Sequence, residues 1–550
     1  MPSVAVLGGG ISGLSTAYYL ARYAPRATQI TLIEGSDRVG GWIRSRRVEP
    51  GFHATCPKSN AVNNENSVLF ESGPRSLRPV GASGAVVLEM IRELSLVEDL
   101  VAVPKYDPSA RNRYIYYDGS INKLPNSLSS LLFHKPPILK SVIPSILKEP
   151  FVRSARTGKE DDDETLYSLV SRRFNEHVAL DLVGSMVHGI YAGDIKKLSA
   201  RSVLKMLFEN ERVYGSIMKG LIRGGVNMET FRERGIAARA RKEDPDWFAK
   251  MEAMSVIGFK DGTEMLTEQL KNWLEQCENV NIVTGEPVTK LQVQGSESKI
   301  TTTKRVIHTD HTISALPSNI LDTITSSTLS LPHLSYNPLV DVAVVNLAYS
   351  PDVKLKYDGF GFLTPHPDSK YPIPVPGTLG VVFDSNAMRG QDTNDDRLKA
   401  TVMIGGHQWF NAFKVPIDQL DPEDAYRYAL KSMSSFLGID AQPEYSMVNL
   451  QAKCIPQYLV GHQQRLGELD QVLERDYGHT LSVTGASYWS VSVPDCIKNS
   501  RELVEELVVS GALGSKDKVV TGLGRSGLST EDMMDSARLS KSHVNILMKS

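Results

Sequence analysis

The chain of 550 residues carries 61 Lys and Arg against 63 Asp and Glu, a formal net charge of −2, and is 41% hydrophobic. This balance provides no global positive field, and no basic segment is interleaved with aromatic residues, so we expect no nucleic-acid binding. No run of about 18 apolar residues occurs, which predicts that no helix spans a membrane. The length is sufficient for two or three domains around a large core.

The four cysteines, Cys56, Cys277, Cys454 and Cys496, lie far apart in the sequence, with no C-x-x-C pair and no histidine at ligand spacing. Their distribution predicts reduced thiols and no metal site. The first strand begins by Val4. That start leaves no room for a cleaved signal or transit peptide, and we expect none.

The first 34 residues predict a complete βαβ unit. Residues 4–7 form a short apolar strand, residues 11–23 have the apolar spacing of a helix with one buried face, and residues 30–33 form a second strand. The G-x-G-x-x-G turn between the first strand and the helix lets the backbone close on phosphates at the helix N-terminus, and Glu34 can bind a ribose. The candidate dinucleotide-binding residues are Gly8, Gly9, Gly10, Ile11, Ser12, Gly13 and Glu34.

A glycine pair follows the second strand in the segment RVGGWIRS, residues 38–45. Paired glycines allow the chain to approach a bound cofactor closely. The segment resembles the arginine and paired-glycine segment of FAD-dependent amine oxidases, which usually carry arginine where this chain has Trp42. With tryptophan at that position it is similar to protoporphyrinogen oxidases, the flavoenzymes of haem biosynthesis. The resemblance extends from residue 3 to about residue 507, with looser matches in the middle.

Two further segments support this resemblance. ESGPRSLRP, residues 71–79, is similar to a family segment that lies along the flavin, and GASYWSVSVPDCI, residues 485–497, matches a second flavin-binding segment. Monoamine oxidases bond their flavin through a cysteine, but Cys496 lies past the loop, so we expect one noncovalent FAD per chain. The resemblance implies that the cofactor-binding residues include Gly41, Trp42, Gly73, Pro74, Arg75, Ser76, Val288, Ala486, Val491, Ser492 and Val493.

The resemblance also implies four substrate-binding residues. Arg113 matches an arginine that faces a propionate of the tetrapyrrole, and a guanidinium suits a carboxylate in an apolar pocket. Gly193 matches a turn that closes one wall of the pocket. Leu363 and Met388 match segments over the flavin, although ordinary apolar core explains both residues equally well. No residue is identified as a catalytic acid or base.

Residues 124–152 interleave leucine, isoleucine and phenylalanine with lysines and are broken by prolines. This pattern is typical either of a core helical pair with exposed lysines or of an interfacial element that dips into an anionic membrane. The resemblance favours the second interpretation. It implies a eukaryotic mitochondrial form, peripheral on the inner membrane, for which a homodimer and a contact with ferrochelatase are candidate interactions.

Between the motifs, residues 86–100 predict an amphipathic helix, residues 111–117 a strand and residues 340–347 an alternating strand of a mixed sheet. Residues 232–250 are expected to be the exposed part of a charged helical region, and residues 481–497 predict a strand, a small-residue loop and a helix start.

These observations predict an α/β (mixed α+β) fold: a Rossmann-like FAD-binding domain interleaved with a mixed-sheet substrate domain and a helical membrane-associating element. A further G-x-G-x-x-G at residues 522–527 lacks the strand and acid of a second dinucleotide site, and we interpret it as a turn in a flexible tail. The predicted division is 1–80, 221–316 and 476–510 for the FAD-binding domain, 81–220 for the helical and substrate region, 317–475 for the substrate domain and 511–550 for the tail.

The implied reaction is the oxygen-dependent, six-electron oxidation of protoporphyrinogen IX to protoporphyrin IX, with hydrogen peroxide as the second product. Such chemistry uses the flavin as the redox group and needs no protein nucleophile. Two alternatives remain open at this point. The chain is either another flavin amine oxidase-type enzyme acting on an amine or a polyene, or a flavin-binding protein without turnover.

Overall fold

The structure is a computed structural model that describes residues 2–126, 136–154, 163–325, 329–394 and 396–524. The strands are β1 Ser3–Leu7, β2 Gln29–Ile33, β3 Ser45–Val48, β4 Gly51–His53, β5 Val68–Glu71, β6 Leu100–Pro104, β7 Tyr114–Tyr117, β8 Ser120–Lys123, β9 Met254–Phe259, β10 Val280–Val283, β11 Val288–Gln294, β12 Glu297–Thr302, β13 Val306–Thr309, β14 His311–Ser314, β15 Leu339–Ala348, β16 Gly361–Leu363, β17 Thr378–Val382, β18 Lys399–Gly405, β19 Tyr445–Pro456 and β20 Leu481–Val483.

The α-helices are α1 Ile11–Tyr23, α2 Gly81–Glu93, α3 Pro108–Arg111, α4 Leu139–Lys148, α5 Leu166–Arg173, α6 Gly184–Tyr191, α7 Ala200–Val203, α8 Lys205–Tyr214, α9 Ile217–Ile222, α10 Phe231–Lys242, α11 Pro245–Glu252, α12 Glu264–Glu275, α13 Ser318–Thr325, α14 Asp384–Ala387, α15 Trp409–Ala412, α16 Pro422–Leu437, α17 His462–Val472 and α18 Val493–Ser510. None of the helices in the described ranges is long and apolar enough to cross a membrane.

A parallel sheet of order β10-β2-β1-β14-β20 forms the first core. The apolar residues 4–7 of β1 are almost fully buried, as a strand covered on both faces requires. Helix α1 has the predicted bounds, Ile11–Tyr23, and packs against α18, whose Ser500 Oγ donates a hydrogen bond to the Ser12 carbonyl oxygen at 3.0 Å. The predicted βαβ unit is therefore confirmed.

A second, mixed sheet has the order β4-β19-β15-β18-β17-β16-β7-β8. Its central pairings are antiparallel, whereas β16 pairs with β7, and β19 with β4, in parallel. At these two positions strands from distant parts of the chain join the sheet. Helix α16 covers the sheet with an apolar stripe that includes Ala425, Ala429 and Met433, spaced as one face of a helix requires. This arrangement confirms the mixed sheet, and with the first core it confirms the mixed α/β fold class.

Helices α4 to α9 form a third cluster around a buried ion pair between Arg173 and Glu149, both fully buried. The Glu149 carboxylate also accepts hydrogen bonds from Ser216 Oγ at 2.5 Å and from the backbone N–H of Ile217 at 2.9 Å. Residues 127–135 of the predicted interfacial element lie outside the described residues. Within the described remainder, α4 buries Leu139 and Val142 in this cluster.

We expect Glu149→Ala to lower the free energy of unfolding by about 3–5 kcal/mol, because it leaves the buried Arg173 guanidinium without its main partner. Urea denaturation of the purified protein measures the effect. Glu275→Ala, which removes one member of the exposed Lys271–Glu275 pair, is the control and should change stability by less than about 1 kcal/mol. Equal stabilities of the two variants would contradict the prediction.

Two sequence-predicted helical segments differ in the structure. A helix expected over residues 86–100 is instead α2, Gly81–Glu93, followed by strand β6, which pairs with β9. The apolar run of β6 is too short for its periodicity to separate strand from helix. Residues 232–250 were expected to be exposed, but α10 buries Ile236, Ala237 and Ala240 in the first core, where α10 packs against α2.

A third difference concerns residues 111–117, which were expected to form one strand. Arg111 ends the short helix α3, and the strand β7 begins only at Tyr114. The side chain of Asp107 accepts a hydrogen bond from the backbone N–H of Ser109 and Pro108 follows it, a typical helix start that the sequence interpretation missed. Arg113 therefore stands between a helix and a strand.

The segment after α18 packs on the protein over its described part. The interpretation of residues 522–527 as a turn in a flexible tail was therefore wrong for residues 522–524, and residues 525–527 lie outside the described residues. The carbonyl oxygen of Thr521 accepts a hydrogen bond from the Val483 N–H at 2.8 Å, next to β20, and Leu523 is fully buried. Trp489 Nε1 donates to the Gly522 carbonyl oxygen at 3.2 Å. These residues pack on the parallel sheet because the Val483 edge of β20 offers them a free backbone donor.

Candidate active site

The turn between β1 and α1 is closed by glycine. A Cβ on Gly13 would lie 1.8 Å from the Gly8 carbonyl oxygen, so no other residue fits that position without moving the backbone. The Gly9 N–H donates to Glu34 Oε2 at 2.6 Å, which joins the glycine turn to the end of β2. Helix α1 follows Gly10 and carries no side-chain cap. Its first N–H groups therefore remain available to an anion, as phosphate binding requires.

The glycine pair after β2 lies against this turn. A Cβ on Gly41 would be 3.1 Å from the Gly10 Cα. The Arg38 guanidinium donates to the Gly41 carbonyl oxygen at 2.8 Å and fixes the loop. Trp42 remains about half exposed, and its carbonyl oxygen would be only 2.4 Å from a Cβ on Gly73. Two predicted cofactor segments, residues 40–42 and 73–76, are thus in direct contact.

A buried carboxylate, Glu71, anchors the segment that begins with Gly73. Its side chain accepts hydrogen bonds from Ser45 Oγ at 2.6 Å and from the Thr263 N–H at 2.7 Å. Burial raises the pKa of Glu71 to about 7 despite these hydrogen bonds. Asn346 Nδ2 donates to the Glu71 carbonyl oxygen at 3.1 Å and so connects the loop to the mixed sheet. Sequence reasoning quoted Glu71 but gave it no role, because its partners are distant in the chain.

Arg75 ties the same segment to the mixed sheet from the other side. Its guanidinium pairs with Asp384 at 2.7 Å, and Thr401 Oγ1 of β18 donates to the other Asp384 oxygen at 2.6 Å. Pro74 and Ser76 flank Arg75 and are partly exposed. The structure therefore gives Arg75 a structural ion pair in addition to its predicted place beside the cofactor.

The third predicted cofactor segment follows β20. Gly485 has a φ of +110° and lies against Ser12 at the start of α1, where a Cβ would be 3.6 Å from the Ser12 Oγ. Tyr458 donates its hydroxyl to the Ala486 carbonyl oxygen. Ser492 caps α18 by accepting the Asp495 N–H at 3.2 Å, so the predicted helix start is confirmed.

The two valines of this segment have different surroundings. Val493 is buried in the first core, whereas Val491 packs against the helical cluster. The remaining predicted cofactor residue, Val288, begins β11, two residues after Glu286, whose N–H donates to the Glu34 carbonyl oxygen at 3.1 Å. The structure thus places Val288 close to the ribose-binding candidate.

The converging segments fit a dinucleotide. Residues 8–13 lie against Gly41 on one side and Gly485 on the other, and Trp42, which follows the glycine pair, lies against Gly73. At Gly10 the protein comes no closer to a Cβ position than 3.9 Å, at the Gly41 Cα, so the described side chains leave this position uncrowded. These neighbouring segments, residues 8–13, 41–42, 73–76 and 485–486, form the glycine cradle, which has the uncapped amides of α1 at its base.

The substrate candidate Arg113 has an unpaired guanidinium. It lies over the Phe360 ring at 5.4 Å, and no carboxylate of the described residues forms an ion pair with it. Partial burial and then the charge of Arg78 lower the pKa of Arg113. Arg78 and Arg113 thus repel one another electrostatically, with no carboxylate of the described residues between them. Arg78, which sequence reasoning did not select, could have been found as the second arginine of the ESGPRSLRP segment.

The other substrate candidates divide into two groups. Met388 is buried against Phe360 and Gly258, and a Cβ on Gly258 would also lie 3.5 Å from the Arg75 carbonyl oxygen. Met388 thus joins the Arg113 region to the cofactor cradle. Leu363 packs on α6, 3.0 Å from the Cβ position of Gly189. The Cβ position of Gly193 points instead to Gln457 Oε1 and Leu198, so that face of Gly193 is turned into the protein interior.

A family model for flavin-containing amine oxidoreductases matches residues 11–507. The chain is 34% identical to protoporphyrinogen oxidase of Schizosaccharomyces pombe, over 92% of this chain and 98% of that protein. It is 35% identical to the Homo sapiens enzyme of the same name, over 91% of this chain and 97% of that one. The chain belongs to the protoporphyrinogen oxidase family.

Among solved structures, cyclohexylamine oxidase of Brevibacterium oxydans superimposes with a TM-score of 0.62 at 15% identity, covering 92% of this chain and 99% of that one. At that identity the likeness shows a shared fold. As a member of the protoporphyrinogen oxidase family and of the wider flavin-containing group, the chain is an FAD-dependent oxidoreductase, and the glycine cradle is the part of it that fits the dinucleotide.

Proposed function

We propose that this chain oxidises protoporphyrinogen IX to protoporphyrin IX with molecular oxygen as acceptor and hydrogen peroxide as product, the penultimate step of haem biosynthesis. The observation that carries the proposal is the unpaired Arg113 guanidinium, joined through Phe360 and Met388 to the cofactor cradle. Family membership gives the reaction, and this arrangement supplies a cation for an acidic substrate beside the position of the cofactor.

The arginines account for the charge of the substrate. Arg113 is exposed and forms no ion pair with the described residues, so its guanidinium is available to a substrate propionate through charge-assisted hydrogen bonds. Arg113 takes one propionate, and Arg78, whose charge acts on Arg113, contributes to the same anion site. Protoporphyrinogen carries two propionates, and amines and polyenes carry none.

The apolar residues position the macrocycle. Met388 and Phe360 offer a hydrophobic wall between the arginines and the cradle, which excludes water and limits the orientations that a flat substrate can take. FAD, when bound, supplies the hydride acceptor and the route of electrons to oxygen. No described residue is required as a nucleophile, and protons released during tautomerisation pass to solvent.

One experiment tests cofactor and activity together. The visible spectrum of the purified protein reports bound flavin, and porphyrin fluorescence is then followed after protoporphyrinogen IX is added in air. We expect a yellow protein and a rise in fluorescence faster than autoxidation. A yellow protein without turnover would overturn the proposed substrate, and assays with amines and polyenes would then separate the alternative enzyme from a flavin-binding protein without activity.

We further propose that the protein is peripheral on the mitochondrial inner membrane, as family resemblance suggests. The described part of the candidate surface is strongly apolar: Leu147, Phe151 and Ile222 are 68%, 87% and 78% exposed. The segment that contains Phe151 contacts α9, so the three side chains belong to neighbouring elements. The exposed Lys148 and Lys219 beside them suit anionic headgroups.

We expect Phe151→Ser to weaken co-sedimentation with anionic liposomes at low salt by about 10-fold or more, because burying a phenylalanine contributes about 1.5–3 kcal/mol. Phe410→Ser is the matched control, since Phe410 is also exposed, at 60%, but lies on α15 beside the mixed sheet. Unchanged liposome binding of the Phe151 variant would remove this surface from the proposal.

A homodimer and a contact with ferrochelatase are further proposals, supported by the family resemblance alone. Light scattering during size-exclusion chromatography measures whether the protein is a dimer. Co-purification of the two detergent-solubilised proteins measures the second, and a monomeric, non-interacting protein would remove both.

A further inference from the structure

Three histidines and one aspartate lie close together beside the substrate candidates Leu363 and Gly193. This histidine cluster consists of His188 on α6, Asp194 just after α6, His366 after β16 and His407 after β18. The three imidazole rings have centroids 5.1–6.4 Å apart. His188 and His366 are almost completely buried, so the cluster is an interior feature.

The hydrogen bonds of His188 define the state of its neighbour. Its Nδ1 lies 2.9 Å from the Thr364 carbonyl oxygen, which can only accept, so Nδ1 carries the proton. The unprotonated Nε2 of a neutral His188 then accepts from His407 Nε2 at 2.9 Å. That leaves His407 with a lone pair on Nδ1. An imidazole that donates one N–H to a fixed partner and keeps the other nitrogen free has the arrangement of a metal-ligating histidine.

His366 is held in a comparable way. Its Nε2 lies 3.1 Å from Asp194 Oδ1, and the backbone N–H of Asp368 donates to its Nδ1 at 3.2 Å. The Asp368 carboxylate is 3.9 Å from the same Nδ1. The Asp368 carboxylate is therefore a nearby acceptor for an N–H on His366 Nδ1.

The backbone is bent to bring these residues together. Ala192 has a φ of +49°, which is uncommon for a residue with a Cβ, and Gly405 and Gly406 opposite it have φ values of +104° and +57°. A Cβ on Gly406 would lie 2.2 Å from the Ala192 carbonyl oxygen, which accepts the His407 N–H at 2.8 Å. Two left-handed segments thus hold Asp194 and His407 in place.

We propose that Asp194, His366 and His407 bind a zinc ion, with His188 orienting His407. One ligand atom from each of the three residues lies within 4.8 Å of the others. Zinc with bonds of about 2.0–2.2 Å needs ligand atoms roughly 3.3 Å apart, so a small contraction completes the set. Two imidazoles and a carboxylate are typical zinc ligands, whereas magnesium and calcium prefer oxygen ligands.

The protons balance in this proposal. In the metal-free arrangement a neutral His366 shares its Nε2 proton with Asp194. Zinc takes the place of that proton on Nε2, and the proton moves to Nδ1. There Nδ1 gives up the hydrogen bond that it accepts from the Asp368 N–H and donates instead to the Asp368 carboxylate, which also pairs with Lys196, so no proton is released. The carboxylate behind the ligating imidazole then has the usual role of a supporting residue in zinc sites. The inference is independent of the proposed substrate.

The test uses the full-length, FAD-loaded protein purified without a histidine tag. After treatment with a chelator and removal of that chelator, the protein is incubated with zinc sulfate and desalted, and zinc per chain is measured by mass spectrometry. We expect about one zinc per chain for the wild type, with a higher midpoint of thermal unfolding. His366→Gln and Asp194→Asn should each lose the zinc and the thermal shift while they retain FAD.

His333→Gln is the matched control, because His333 forms a surface contact with Glu468, with Nε2 and Oε2 2.6 Å apart, and this variant should bind zinc as the wild type does. Absence of zinc in the wild type, or retention of zinc in both cluster variants, would overturn the proposal. If the variants do not fold, the absorption spectrum of the cobalt-substituted wild type identifies the metal ligands. This spectrum should show nitrogen and oxygen ligands, and a thiolate charge-transfer band would place the metal at cysteine instead.

Discussion

Gly13→Ala is expected to yield a protein without FAD and without activity. The new Cβ would stand 1.8 Å from the Gly8 carbonyl oxygen, inside the turn that we expect to bind the pyrophosphate. Such overpacking costs about 1–3 kcal/mol or more and displaces the first amides of α1, so FAD affinity should fall by roughly 5- to 150-fold or further. The ratio of flavin to protein absorbance after desalting measures the loss.

Two other glycines separate cofactor effects from folding effects. Gly10→Ala meets no protein atom closer than 3.9 Å and has an ordinary φ of −71°, so the variant should fold normally yet bind FAD weakly, because its methyl group enters the space beside the phosphates. Gly514→Ala, with nothing within 4 Å, should change neither property. Full flavin content in the Gly10 variant would mean that the dinucleotide does not lie on this turn.

Arg113→Ala is expected to raise KM for protoporphyrinogen IX by about 10- to 150-fold with a much smaller change in kcat. The estimate follows from the 1.5–3 kcal/mol that a hydrogen bond to a charged group contributes, and from uniform binding of a propionate in the ground and transition states. Steady-state fluorescence kinetics measure both constants.

Arg111→Ala supplies the comparison, because Arg111 lies two residues away at the exposed end of α3. It should leave both constants near those of the wild type. Unchanged values of both KM and kcat in the Arg113 variant would remove this residue from the substrate site. A fall in kcat with unchanged KM would instead assign Arg113 to the transition state alone.

The extent to which sequence predicts this molecule depends on how far apart the interacting residues lie. The βαβ unit could be predicted because its strands, glycines and Glu34 are consecutive, and each has a local physical signature. The mixed sheet was recognisable from alternation in β15. The strand β6 was mistaken for the end of a helix, because its partner β9 lies about 150 residues away in the chain and gives no local signal.

The candidate site divides in the same way. The cofactor segments could be located because they are short motifs, and the structure brings them together. The anchoring of Glu71 by Ser45, Thr263 and Asn346 could not be predicted, because only the folded chain makes these residues neighbours. The histidine cluster is a sharper case. The positions of the four cysteines, with no histidine at ligand spacing, predicted no metal site, whereas three separate segments of the folded chain bring Asp194, His366 and His407 together.

The order of the parallel sheet has a consequence for biosynthesis. Its edge strand β20 is completed only at Val483, and the last cofactor segment follows it. A ribosome must therefore translate almost the whole folded region before the flavin cradle exists. We therefore expect FAD to bind late in synthesis, and a stop codon before that point to give a polypeptide without bound flavin. Flavin colour would then report that synthesis has passed β20.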